Sequence, residues 1–143
     1  IESHQYQKTE RIALDDVLHH LIENLNEVVQ KKNLRINWHH ENPIIMANLT
    51  LTEMLFGNLI SNALRYSDSN TAIWIKLNTN EFQISNYGTN ALDETQVFQR
   101  FYKGEQKDGN GLGLAISKEI CKAMNWKIDY YFTQNQHCFT VRF

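Results

Sequence analysis

The 143-residue chain holds two cysteines, a single proline and no excess of positive charge, and each scarcity excludes something. Cys121 and Cys138 lack the spacing of a metal-ligand set, and a chain of this length buries enough surface to fold without staples, so both are read as reduced thiols in a cytosolic setting. A formal net charge of −2 with no long basic run argues against a nucleic-acid surface, which works by neutralising phosphates. No apolar run approaches the roughly 20 residues of a membrane span. The opening stretch "IESHQYQKTE" carries no signal-peptide core. No repeat or low-complexity segment occurs, and one hydrophobic core is expected.

Periodicity organises what is present. "LDDVLHHLIENLNEVVQKKN" spaces Val17, Leu18, Leu21, Ile22, Leu25, Val28 and Val29 as one amphipathic helix, with Asp15 and Asp16 at its start and Lys31 and Lys32 at its end. "LRINWHH" and "PIIMAN" read as strands with a turn at Glu41 and Asn42. Asn48 or Thr50 caps a second helix that ends near Ser67. "TAIWIKLNTNEFQISN" is a hairpin turning at Asn78 to Asn80, and "YGTNALDETQ" a loop. "VFQRFYKG" is a short helical turn and "EQKDGN" a mobile polar connection. "LGLAISKEICKAM" is a helix, and "KIDYYFT" and "HCFTVRF" form a terminal hairpin around "QNQ". The mixture predicts an α+β two-layer sandwich, a mixed but mostly antiparallel sheet with about three helices on one face.

Three stretches carry chemistry. In "LFGNLISNALRYS" the apolar stripe of Leu51, Met54, Leu55, Leu59 and Tyr66 also contains Asn58 and Asn62, one helical turn apart. A buried amide without partners costs about 1–3 kcal/mol, so something polar is expected against this helix. In "GNGLGLAIS" Gly109, Gly111 and Gly113 recur at every second position before a helix, where bare backbone and free helix amides suit an anion. The spacing is neither G-x-G-x-x-G after a strand nor a loop ending in G-K-[ST], which excludes the dinucleotide and Walker-type phosphate loops. In "ISNYG" a strand ends at Asn86, Tyr87 and Gly88, which taken alone is a turn.

In that order the stretches resemble the boxes of the catalytic and ATP-binding domain of sensor histidine kinases, which has the Bergerat ATP-binding fold. "LFGNLISNALRYS" looks like the N box, "ISNYG" a degenerate first glycine box, "VFQRFYKG" the F box and "GNGLGLAISKEI" the second glycine box. The resemblance implies that residues 11–143 form this domain, and that residues 1–10 are the tail of a preceding dimerisation and phosphoacceptor region. It implies ATP and Mg²⁺ as ligands, with Asn62 on the metal, Asn58 and Arg65 beside the phosphates and Tyr66 beside the nucleotide. Asn86 and Gly88 would hold adenine. Phe98, Phe101, Tyr102 and Lys103 from the F box, and Gly109, Gly111, Leu112, Gly113 and Leu114 from the second glycine box, would complete the nucleotide-binding residues, with Lys103 and the glycine amides toward the phosphates. An amide oxygen is a hard, neutral ligand suited to Mg²⁺.

Related ATP-hydrolysing gyrases, mismatch-repair proteins and heat-shock chaperones carry a glutamate where Asn58 stands. An amide cannot take a proton from water, which suits a kinase that must save the γ-phosphoryl for a histidine. The chain departs from the family pattern at Asn86, where an aspartate is usual, at Asn90, where a second glycine is usual, and in a short lid from about Tyr102 to Asn110. Lys103 stands where the family often has arginine.

None of His4, His19, His20, His39 and His137 is followed by the acid and proline of a phosphoacceptor, and His40, before Glu41 and Pro43, lies in an apparent turn. All six are read as surface or strand histidines. The resemblance thus implies a two-component protein-histidine kinase whose target histidine lies on a dimerisation domain outside this chain. It further implies a response-regulator partner, a homodimeric full-length protein, and a cytoplasmic domain whose parent can be anchored in the bacterial inner membrane. Two readings stay open at this point: a nucleotide-sensing pseudokinase or scaffold, motivated by Asn86 and Asn90, and a Bergerat-fold serine kinase of the anti-sigma type, which the F box disfavours.

Overall fold

The computed structural model describes residues 8–103 and 112–143. A short strand β1 (Glu10–Ala13) runs into α1 (Leu14–Glu23) and α2 (Asn26–Lys31), followed by β2 (Arg35–His40), β3 (Ile44–Ala47) and the long helix α3 (Leu49–Tyr66). The hairpin β4 (Ala72–Leu77) and β5 (Glu81–Tyr87) follows, then α4 (Gly113–Ala123) and the closing hairpin β6 (Lys127–Thr133) and β7 (Gln136–Arg142). Five strands form one sheet in the order β2-β4-β5-β7-β6, with β2 parallel to β4 and the other pairs antiparallel. β1 and β3 make a separate antiparallel pair. The expected α+β sandwich is therefore present, with differences in detail. The predicted strands at 34–40 and 43–48 join different sheets, and the first predicted helix is two.

The break falls at Leu25, whose φ of −109° and ψ of 16° leave the helical region. Asn24 and Asn26 flank it, and asparagine is a weak helix former because its side chain competes for the backbone. α3 begins where predicted. The Asn48 side chain accepts from the Leu51 N–H at 2.9 Å and its amide reaches back to the Lys8 carbonyl at 2.8 Å. At the other end, Lys32 donates to the Leu64 and Arg65 carbonyls at 3.1 and 2.7 Å, so a cation closes the negative end of the helix. Burial lowers the pKa of this lysine.

The core lies between the sheet and the helices. β5 alternates strictly, with Phe82, Ile84 and Asn86 turned inward, and Phe56 of α3 meets Phe82 edge to face with ring centroids 4.9 Å apart. Period two thus carries an asparagine onto the apolar face at the end of a core strand. The two-residue turn between β6 and β7, Gln134 and Asn135, has positive φ at both positions, as the twist of a tight hairpin requires. Its Asn135 carbonyl accepts from the Gly88 N–H at 2.9 Å, which fixes the chain just beyond Asn86.

Candidate nucleotide site

The face that α3 buries is broader than its sequence stripe and rotated away from it. Thr52, Phe56, Ile60, Ala63 and Leu64 are buried together with Leu51, Leu55 and Leu59, whereas Met54 is exposed. The helix rests on the sheet and is flanked by α1 and α4, so its apolar arc is centred on Phe56 and Ala63. Asn58 and Asn62 consequently sit at the edge of that arc and are half-buried, not enclosed. Asn58 donates to the Gly113 carbonyl at 3.2 Å. The Asn62 side chain makes no hydrogen bond to another described residue, and Arg65 is exposed.

Asn62, Tyr66, Asn86 and Leu114 converge on one small cavity of ≈ 30 Å³, together with Ala63, Leu92, His137 and Phe139. Asn86 is 4% exposed. The one hydrogen bond of its amide is a 3.4 Å reach to the adjacent Tyr87 carbonyl, longer than a good N–H···O bond. Sites for small ligands span roughly 300–1,000 Å³, so this cavity must widen to admit a base. Gly88 is required by packing: a Cβ there would lie 3.0 Å from Cδ2 and 3.1 Å from Nε2 of His137. Asn90 has a φ of 63°, so the position where a second glycine was expected does need the left-handed region, and asparagine is the non-glycine residue that enters it most readily.

His137 is the residue that sequence reasoning missed. It is a strand histidine, as expected, but a buried one, directly opposite Asn86 in the β5–β7 register. Its Nδ1 lies 2.8 Å from the Tyr130 hydroxyl and its Nε2 3.3 Å from the Thr89 carbonyl, while the Leu92 N–H donates to that same hydroxyl at 3.0 Å. A carbonyl only accepts, so Nε2 carries the ring hydrogen, and Nδ1 of the neutral ring accepts from Tyr130. Burial pushes the His137 pKa down, outweighing the Thr89 carbonyl and the distant Asp68 carboxylate. The relay pins the loop after Asn86 to the closing hairpin. The only sequence signal was an inward position on a strand neighbouring the first glycine box, and that neighbour relation is a tertiary fact.

The F-box segment forms turns rather than a helix, and its hydrogen-bonded turn starts earlier, with the Gln96 and Val97 N–H groups on the Asp93 carbonyl at 3.0 and 2.9 Å. Hydrogen bonds from the Thr95 hydroxyl and N–H hold the Asp93 carboxyl below its usual pKa. Phe98 packs against Phe139 and lies under the Lys118 ammonium, 5.7 Å from the ring centre. It lines a second hollow of ≈ 470 Å³ with Met54, Arg100, Leu112, Ala115, Ile116 and Glu119. Phe101 is 69% exposed with a φ of 65° and does not line the first cavity. The Tyr102 hydroxyl accepts from the Asp93 N–H at 2.8 Å, and Lys103 is half-buried. Gly109, Gly111 and most of the expected lid lie outside the described residues.

The donor set fits a magnesium nucleotide. Asn62 has an amide free of described partners beside the poorly partnered Asn86, and among the described residues a Cβ built on Gly113 meets only Asn58 Cγ at 3.9 Å, so little of the described chain crowds the first turn of α4. An anion there would face helix amides and the positive end of the α4 dipole.

The profile of the family described as histidine kinase-, DNA gyrase B-, and HSP90-like ATPase matches residues 47–143. The chain belongs to that family. It is 32% identical, over 149 aligned positions and 99% of its length, to the heme sensor protein HssS of Staphylococcus aureus (strain JH9), of which it spans 32%. The mycobacterial sensor histidine kinase MprB superposes with a TM-score of 0.85 at 16% identity, covering 94% of this chain and 96% of that one. The catalytic domain of histidine kinase ThkA does so with a TM-score of 0.84 at 21% identity, covering 94% of each. The chain is an ATP-binding domain of that family with the fold of histidine kinase catalytic domains, and neither the pseudokinase nor the serine-kinase reading is favoured. Among the described residues no helix is long and apolar enough to cross a membrane.

Proposed function

We propose that the domain holds ATP with its base in the cavity between Asn62, Tyr66, Asn86 and Leu114, and its phosphates toward the first turn of α4, and that the γ-phosphoryl passes to a histidine on a dimerisation domain of the parent protein. The observation that carries this reading is the pairing of a buried, poorly satisfied strand asparagine with an uncommitted helix asparagine across one cavity. Asn62 would ligate Mg²⁺, which supplies neutralisation of phosphate charge when bound. Asn58, Arg65 and Lys103 would border the phosphate side. Asn86 accepts from, or donates to, the base edge, and the His137 relay holds the loop beside it. Asn58 offers no carboxylate to deprotonate water, so bound ATP is spared for the histidine.

The parent would be a homodimer that passes its phosphoryl group to a response regulator, with this domain on the cytoplasmic side. The test is to incubate the full-length parent with γ-labelled ATP. An acid-labile, base-stable label on the parent is expected. ATP binding without any such label would overturn the transfer and leave a nucleotide sensor.

A further inference from the structure

Asp15 and His19 lie one turn apart on α1 and face His40, the last residue of β2. One oxygen of each, or one ring nitrogen, falls within 4.8 Å of the others. Asp15 Oδ1 is 2.8 Å from His40 Nδ1 and Oδ2 is 3.5 Å from His19 Nε2. The Asp15 side chain is 10% exposed, yet its Oδ1 has no hydrogen-bond donor among the described residues. His40 Nδ1 approaches this oxygen closely without making a well-aligned hydrogen bond to it. Leaving a carboxylate oxygen buried and unpaired is costly, and a cation removes that cost.

We propose that Asp15, His19 and His40 form a binding site for a divalent first-row transition-metal ion of the zinc class. Two imidazoles and one carboxylate favour that class over Mg²⁺ or Ca²⁺, which take oxygen ligands. Small rotations of the two half-exposed imidazoles bring the ligands to the about 3.3 Å separations of a tetrahedral ion. Trp38 stacks on His19 with ring centroids 4.3 Å apart and meets His40 edge-on at 5.4 Å, which restricts both rings and limits water on that side. The Leu14 N–H donates to the Pro43 carbonyl at 3.2 Å, so the start of α1 is already held against the chain that follows His40. A bound ion would clamp α1 to the edge strand of the sheet. The site shares no residue with the nucleotide cavity, so it stands or falls independently of the kinase reading.

The test is calorimetric titration of Zn²⁺ into the tag-free chain without nucleotide or Mg²⁺, with Co²⁺ absorption as a second readout of ligand geometry. One-to-one saturable binding, a raised melting temperature and visible cobalt d–d bands are expected. His40→Ala and His19→Ala should each weaken zinc at least tenfold while far-UV circular dichroism stays unchanged, and His39→Ala on the neighbouring exposed position should leave it intact. Absence of saturable binding at sub-millimolar zinc, or equal affinity in the His19 and His40 variants, would overturn the site and leave a simple aspartate-histidine contact.

Discussion

Asn58 donates its side-chain N–H to the carbonyl of Gly113 at 3.2 Å, tying the middle of α3 to the first residue of α4. The same carbonyl also accepts from the Ser117 hydroxyl at 2.9 Å, so losing Asn58 would not orphan it. Asn58→Ala should therefore cost less than about 1 kcal/mol of stability, the lower part of the usual range for a hydrogen bond. Urea unfolding of the nucleotide-free domain checks this. Asn58→Glu should restore an acceptor capable of activating water, and phosphate release from ATP measured on that variant is expected to rise.

Gly113 separates folding from binding. Among the described residues its missing Cβ would touch nothing closer than 3.9 Å, so Gly113→Ala should leave stability unchanged or raise it by up to about 1 kcal/mol, as alanine does within helices. Nucleotide affinity should fall at the same time, because the methyl group occupies the approach to the α4 amides. Unfolding and nucleotide titration on the one variant read both effects, and unchanged affinity would remove Gly113 from the phosphate contacts.

Gly88 behaves oppositely. A Cβ there meets the His137 ring at 3.0 Å, and that ring is held at both nitrogens. Gly88→Ala should destabilise by about 1–3 kcal/mol, the usual cost of overpacking. Gly57→Ala serves as the contrast: its added Cβ would lie an ordinary 3.7 Å from Leu21, and stability should rise by about 0.5–1 kcal/mol.

How legible the site was depends on the range of the interactions that form it. α3 and α4 could be read because their apolar positions repeat over several turns, and the Asn48 cap is a local signal. The amides of Asn58 and Asn62 were placed too deep, since the true apolar arc depends on where α1 and α4 lie against α3. β1 escaped because four residues carry little periodicity and its partner, β3, is thirty residues away in the chain. The parallel pairing of β2 with β4 escaped likewise, because a crossover leaves no local mark. His137 became meaningful only through its register with Asn86, and no alternation within β7 reveals the strand beside it.

The lowered pKa of His137 gives a pH signature. The unfolded side chain titrates near 6.5 and the folded one below it, so the unfolded state binds the proton first as pH falls. The stabilisation is complete above pH 6.5 and is lost as pH drops through the folded value. Unfolding free energies at pH 7.5 and at about pH 5 should therefore differ more for the native chain than for His137→Asn. Tyr130→Phe removes the hydroxyl that donates to Nδ1 and should weaken the neutral ring's hold, shrinking the same difference. Parallel pH profiles for all three proteins would remove His137 as the source.

The central claim is that Asn62 belongs to a magnesium-dependent ATP site, and calorimetric titration of ATP with and without Mg²⁺ tests it most directly. The native domain should bind ATP more tightly with Mg²⁺. Asn62→Ala, folded by circular dichroism, should lose at least tenfold of the Mg²⁺-dependent affinity, about 1.4 kcal/mol or more, with little change in the metal-free titration. Equal Mg²⁺-ATP affinity in the native and Asn62→Ala proteins would contradict the account.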